Sequence, residues 1–193
     1  MIQKDYLKFL ILESKNLIKD KSIFDIVIYG SSIKGKIESR DIDLLIIFKE
    51  RPLSERAEVT QKFKAKISEK IDKLDVKTIN LSELFDSDFL AKQSILTDGY
   101  SLVNNMAFSE KMGFLSRSLF TYNLKNLDHN TKTKFTYSLI GRNKNQGILK
   151  MLNAKPLGKG VFLLPIQNSS FFEDFLKKWG VSYDKKNILV AEL

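Results

Sequence analysis

The chain has 193 residues, 43% hydrophobic and 28% charged, which describes a globular protein of one large domain or a domain with a small second one. It holds no cysteine and a single histidine, His129, so disulfides, zinc thiolates, thiol nucleophiles and His-rich metal sites are excluded. The net charge of +9 is uneven: residues 1–110 carry 18 basic and 18 acidic side chains, residues 111–193 carry 14 and 5, and within 111–160 ten basic residues face one acid, Asp128.

In chain order, residues 3–19 place Tyr6, Leu7, Phe9, Leu10, Leu12, Leu17 and Ile18 among lysines at a mostly helical period, predicting an amphipathic helix. Residues 23–29 are β-branched and aromatic, a strand that Gly30-Ser31 ends. A short helix is expected over 31–37, with Ser31 or Ser32 near its N-terminus. Residues 41–48 form a second strand. Its apolar run Leu44-Leu45-Ile46-Ile47-Phe48 predicts a central strand covered on both faces. Residues 54–74 are read as a helix and 74–81 as an alternating third strand, with Asp75 and Lys77 on one face and Leu74, Val76 and Thr78 on the other. Short helical stretches at 82–85 and 88–97 precede a turn at Asp98-Gly99-Tyr100 and an extended piece at 101–103.

The basic half begins near Ser109. It is read as a helix at 110–120, a polar turn region at 121–130, a helix at 131–140 and a basic loop at 141–147. A short helix at 148–152, a turn at 155–160, a strand at 161–165, a helix at 169–179 and a last strand at 188–190 follow. In the 169–179 helix, Phe171, Phe172, Phe175, Leu176 and Trp179 are expected to face inward. The charge step predicts two domains, 1–108 and 109–193.

The chemistry is concentrated between Gly30 and Asp75. Residues i and i+2 of a strand point the same way, so Asp41 and Asp43 aim together. Two carboxylates on one face need a cation between them, and a pair of hard divalent ions with oxygen ligands meets that need. A glycine after a strand lets a phosphate approach the backbone, and a helix N-terminus behind it offers N–H donors. Gly30, Ser31 and, a turn further on, Lys34 are therefore candidate phosphate ligands; for Lys34 a solvated lysine is the alternative. Asp75 can complete the metal site and take a proton from an attacking hydroxyl, if its strand pairs with the second one. The alternative is an ordinary strand-end carboxylate paired with a lysine.

These residues resemble the nucleotidyltransferase superfamily of DNA polymerase β type, and within it the minimal nucleotidyltransferase branch. The resemblance is carried by Gly30-Ser31, Lys34-Gly35, Asp41-Ile42-Asp43-Leu44 and Leu74-Asp75-Val76. The helix–Gly–strand segment Ile95-Leu96-Thr97-Asp98-Gly99-Tyr100-Ser101-Leu102 also fits, and the likeness covers about residues 5–105. Arg40 stands where many members have Ser or Thr, and Lys34 where many have arginine. The resemblance implies an α+β fold, a mixed β-sheet backed by helices, here followed by a small basic α+β domain. It also implies transfer of a nucleoside monophosphate from an NTP, ATP favoured, to an acceptor hydroxyl. Two Mg2+ ions, with Mn2+ as a substitute, would be held by Asp41, Asp43 and Asp75.

No family is identified for residues 109–193. Basic and aromatic side chains interleave there, a mixture that grips phosphates and stacks bases. Lys132, Lys134, Arg142 and Lys144 are the candidate nucleic-acid contacts, the last two in a loop whose glycines would expose N–H groups. The alternatives are a solubilising lysine surface and, for Phe120, Tyr122, Phe135 and Tyr137, a hydrophobic core. A nucleic-acid acceptor is expected, RNA favoured. A protein hydroxyl, as in antitoxin members of the minimal branch, is one alternative; a non-catalytic nucleic-acid-binding or assembly protein is another. No run approaches ~20 apolar residues and the first five residues lack a signal-peptide layout, so a cytoplasmic protein away from membranes is expected.

Overall fold

The computed structural model of the protein describes residues 4–30, 42–143 and 145–191. The chain divides into two compact units, Met1–Phe114 and Leu115–Leu193.

The first unit begins with helix α1 (Lys4–Leu17), strand β1 (Ile23–Tyr29) and strand β2 (Ile42–Phe48). Helix α2 (Leu53–Ser68) carries the chain back to strand β3 (Leu74–Asn80), which β2 pairs in parallel; a parallel pair needs such a crossover. A helical turn at Ser82–Phe85 and helix α3 (Lys92–Asp98) lead through Gly99 to strand β4 (Tyr100–Ser101), strand β5 (Met106–Ala107) and the short helix α4 (Phe108–Lys111). The sheet order is β3-β2-β1-β4-β5, with β1 antiparallel to both β2 and β4. The sheet is mixed and backed by helices, as the motifs implied. Strand β2 is central, and Leu44 to Phe48 are fully buried.

Alternation divides the core between the two faces of this sheet. Ile26, Ile28, Leu44, Ile46 and Phe48 pack with Leu10, Phe63 and Ile67 of α1 and α2. Val27, Tyr29, Leu45, Ile47 and Ile79 pack with Leu84, Ile95 and Phe108 on the other side. Polar clamps tie one end of the sheet. Arg51, just past β2, holds Asp20 at 2.6 Å ahead of β1, and the Arg51 N–H and C=O are bonded by the Asn80 amide at the end of β3. Buried Arg56 of α2 donates to both oxygens of Glu83 (2.7 and 2.9 Å), and Glu83 accepts the Asn80 N–H. The opposite end, where β1 finishes and β2 and β3 start, carries the carboxylates.

The second unit has a sheet ordered β11-β6-β10-β9, from strands β6 (Phe114–Tyr122), β9 (Lys155–Gly158), β10 (Val161–Pro165) and β11 (Tyr183–Ala191). Helices α5 (His129–Ile140), α6 (Ile148–Met151) and α7 (Ser169–Lys178) accompany it. A small hairpin of β7 (Gly141–Arg142) and β8 (Asn145–Gln146) separates α5 from α6. Its core is aromatic: Phe120, Phe135, Phe162 and Phe172 are buried, with Phe175 and Trp179 packed against them.

Several expectations for this half are corrected. The helix predicted at 110–120 stops at Lys111, and Phe114–Tyr122 is a strand. The period there is two, with Ser116, Ser118 and Phe120 buried in alternation, and the small serines obscure it in the sequence. The turn predicted at 155–160 is largely an exposed edge strand, where Pro156 is tolerated because an edge leaves one row of N–H groups unpaired. The basic loop is a paired hairpin. Phe171, expected inward, is 66% exposed, whereas Phe172 and Leu176, expected inward with it, are buried, because the core-facing stripe of α7 is narrower than the run of aromatics.

Candidate functional site

Three neighbouring strands bring a row of polar side chains to one end of one sheet face. Asp43 is the second residue of β2 and Asp75 the second residue of β3, and they are register partners across the parallel pair. Tyr29, the last residue of β1, is the antiparallel partner of Asp43. Adjacent strands lie about 4.8 Å apart, so Asp75, Asp43 and Tyr29 stand side by side. All three share the face of Leu45, Ile47 and Ile79, by the period of two.

The field of this row is felt at Tyr29. Its phenol is pushed up to about 12, first by burial and then by the charges of Asp43 and Asp75. Asp75 also lies 3.5 Å from the Lys77 ammonium, the lysine pairing that the sequence left open. Both ends of that pair are about half exposed (59% and 47%), so the contact contributes ~1 kcal/mol or less and does not lock the carboxylate.

Gly30 closes the row. Its φ is +80°, and a Cβ built there would lie 2.5 Å from Asp43 Oδ2. The chain leaves β1 beside the carboxylate with a positive φ that favours glycine. Of the predicted site residues, Gly30, Asp43 and Asp75 are thus brought together. Ser31, Lys34, Asp41 and Lys144 lie outside the described residues. Among the described residues there is no group of three His, Cys, Asp or Glu side chains arranged to hold a metal. The donor chemistry suits a hard divalent cation: oxygen ligands on one face, with the charges of Asp43 and Asp75 converging on one buried phenol.

Tyr29 is the member that sequence reasoning missed. The signal was available in its parity: it shares the face of Val27 and directly precedes the glycine. A cleft of about 330 Å³ between α1 and α2, lined by Glu13, Leu17, Asp20, Val59, Phe63 and Lys66 among others, includes none of the row's residues.

In the second unit, Lys134 is exposed and Lys132 half-buried on α5, and Arg142 is exposed on β7. Phe120 and Phe135 are core, whereas Tyr137 is 39% exposed, with the Arg142 guanidinium 4.5 Å from its ring centre. No helix among the described residues is long and apolar enough to cross a membrane.

Residues 13–105 match the family model for polymerase beta nucleotidyltransferases. No curated protein matches the chain. Among solved structures, the chain is similar to one from the complex of tri-AMPylated Shewanella oneidensis HEPN toxin with MNT antitoxin. They are 19% identical over 55% of this chain and 78% of that one, with a TM-score of 0.37. It is also similar to a candidate nucleotidyltransferase from Sulfolobus solfataricus, 18% identical over 41% of this chain and 74% of that one, with a TM-score of 0.29. Likenesses this loose say nothing of substrate.

Proposed function

With residues 13–105 being a nucleotidyltransferase domain of the polymerase β type, we propose that this protein transfers a nucleoside monophosphate from an NTP to a hydroxyl of a nucleic acid. The observation that carries the proposal is the register of Asp75 with Asp43.

Asp43, Asp75 and, two residues before Asp43, Asp41 are the ligands we assign to divalent metal, Mg2+ in the first instance. Metal bound there would neutralise phosphate charge at the reacting centre and lower the pKa of a coordinated hydroxyl. The remaining roles belong to the chain's own groups. Gly30 lets the Asp43 carboxylate lie against the backbone where β1 ends, and we assign Ser31 and Lys34, which follow it, as phosphate ligands. Asp75 is the outermost of the row and half exposed, so we assign it the proton of the attacking hydroxyl. The acceptor oxygen bonds to the α-phosphorus, the bond from that phosphorus to the bridging oxygen breaks, and pyrophosphate leaves with the electron pair. Tyr29, neutral below its raised pKa, lines the inner end of the row without adding a third negative charge.

The acceptor is assigned from charge. Residues 111–160 carry ten basic side chains and one acid, and that acid, Asp128, is engaged in capping α5 through the N–H groups of Asn130 and Thr131 and the Thr131 hydroxyl. The test is incubation of the protein with α-phosphorus-labelled NTP and Mg2+ beside RNA, DNA and protein acceptors. Label on RNA or DNA, abolished by Asp43→Ala, supports the reading. Label confined to protein overturns the acceptor, and no label on any acceptor overturns the activity.

A further inference from the structure

We propose that the exposed face of α5 and the hairpin after it form a site for a single-stranded nucleic acid, in which one base stacks on the Tyr137–Arg142 pair. This rests on the reading of the acceptor as nucleic acid, and it names the surface that would hold it.

Helix α5 buries Phe135 and Leu139 and turns Lys134, Tyr137 and Ser138 outward, positions three and four apart that share one face. At Gly141 the helix ends and the hairpin begins. The φ there is +92°, and a Cβ would lie 2.4 Å from the Asn145 carbonyl oxygen and 2.7 Å from the Gly147 nitrogen. Gly147 is as tightly enclosed, its Cβ position lying 2.3 Å from the Leu139 carbonyl oxygen. Two glycines therefore allow the neck of the hairpin to close against the helix end. The short pairing that results sets Arg142 opposite Asn145 and lays the guanidinium back over Tyr137.

The consequence is a held, planar, positively charged surface. Most aromatic side chains of this unit are spent on its core, but Tyr137 is 39% exposed and carries an arginine on its ring. Bases stack on aromatic rings and on guanidinium planes alike, and they offer those faces only where a strand is single. Lys134 lies one turn back on the same side for a phosphate, and the exposed amide of Asn145, the register partner of Arg142, stands beside it for base edges. Ile140, three residues after Tyr137 on the helix and 62% exposed, supplies an apolar flank. Asp128, the one acid in 111–160, caps the other end of α5, about 18 Å away along the helix axis.

The test is fluorescence anisotropy of the full chain with a labelled twelve-nucleotide single-stranded RNA and its DNA counterpart. A duplex, polyglutamate and anionic phosphatidylserine vesicles serve as competitors. The expected result is single-strand binding that weakens steeply with salt and resists all three competitors. Tyr137→Ala should weaken it about tenfold or more, Tyr137→Phe by less than about twofold, and Arg142→Lys, which keeps the charge and loses the plane, by several-fold. Unchanged melting temperatures of the variants would show that folding is intact. Unaltered affinity in Tyr137→Ala, or displacement by polyglutamate or vesicles at equal charge, overturns the site and leaves an acidic protein or a membrane as its ligand. Binding requires neither NTP nor metal, so Asp43→Ala should bind as the parent does. Tyr137-dependent binding without transfer to any acceptor would sink only the catalytic reading. Transfer to RNA that ignores Tyr137 would sink only this site.

Discussion

The α-carbon of Gly30 sits against the carboxylate of Asp43, so closely that a Cβ there would lie 2.5 Å from Asp43 Oδ2. Since φ is +80°, an alanine would meet both backbone strain and a direct clash. Gly30→Ala should cost about 1–2 kcal/mol in denaturant unfolding. Transfer should fall by about a hundredfold, because displacing a reacting group by an ångström has that effect. Measuring both separates the two terms: stability lost with transfer kept would mean that Asp43 does not act.

Asp43 and Asp75 face the same way on neighbouring strands, two like charges side by side. In metal-free buffer Asp75→Asn should unfold within about 1 kcal/mol of the parent, because its ion pair with Lys77 is exposed and weak, and Asp43→Asn is compared beside it. Adding Mg2+ should raise the parent's melting temperature and leave the variants nearly unmoved, since only a native state that binds metal is stabilised by it. Scanning calorimetry with and without Mg2+ reads this directly.

Arg56 is buried, and Glu83 is its bidentate partner. The Arg56 guanidinium, followed by the Asn80 N–H, holds the Glu83 carboxyl below its ordinary value of 4.5. A depressed folded-state value means that this stability is present above the unfolded value and lost as pH falls through the lower, folded one. Glu83→Gln should destabilise by about 1–2 kcal/mol at neutral pH, because buried Arg56 loses its charged partner while the 39% exposure of Glu83 lets water soften the loss. The acid limb of the stability curve should flatten below pH 4.5 in the variant. Urea unfolding across that range checks both.

The first unit was largely legible because its strands are apolar and its motifs local. β1 and β10 have the predicted limits, and parity alone put Asp75 and Lys77 on one face. Pairing was the less visible part. The third strand was expected beside the second only on condition, and the register of Asp75 with Asp43 depends on α2 returning the chain by a set length. Tyr29 escaped notice because a tyrosine in an apolar strand looks like core, and half of that is true. In the second unit the serines of β6 hid a period of two. Likewise, the closure of Gly141 on Gly147 is a long-way contact within a turn that no local pattern announces. The pairing of Arg142 with Tyr137 follows from that closure and was hidden with it.

Lys77 offers a graded test of Asp75. Their contact at 3.5 Å is exposed and weak. Lys77→Ala should change stability by less than ~1 kcal/mol and leave transfer within about threefold of the parent, unlike any change at Asp75. Steady-state rates of the two variants side by side show whether Asp75 works as a reactive group or as a lysine's partner.

The most direct measurement is calorimetric titration of the full chain with a non-hydrolysable ATP analogue, with and without Mg2+. The row of Asp75, Asp43 and Tyr29 as a metal–triphosphate site predicts binding that requires Mg2+ and is lost in both Asp43→Asn and Asp75→Asn. Equal binding without metal, or unchanged binding in the two variants, would contradict it.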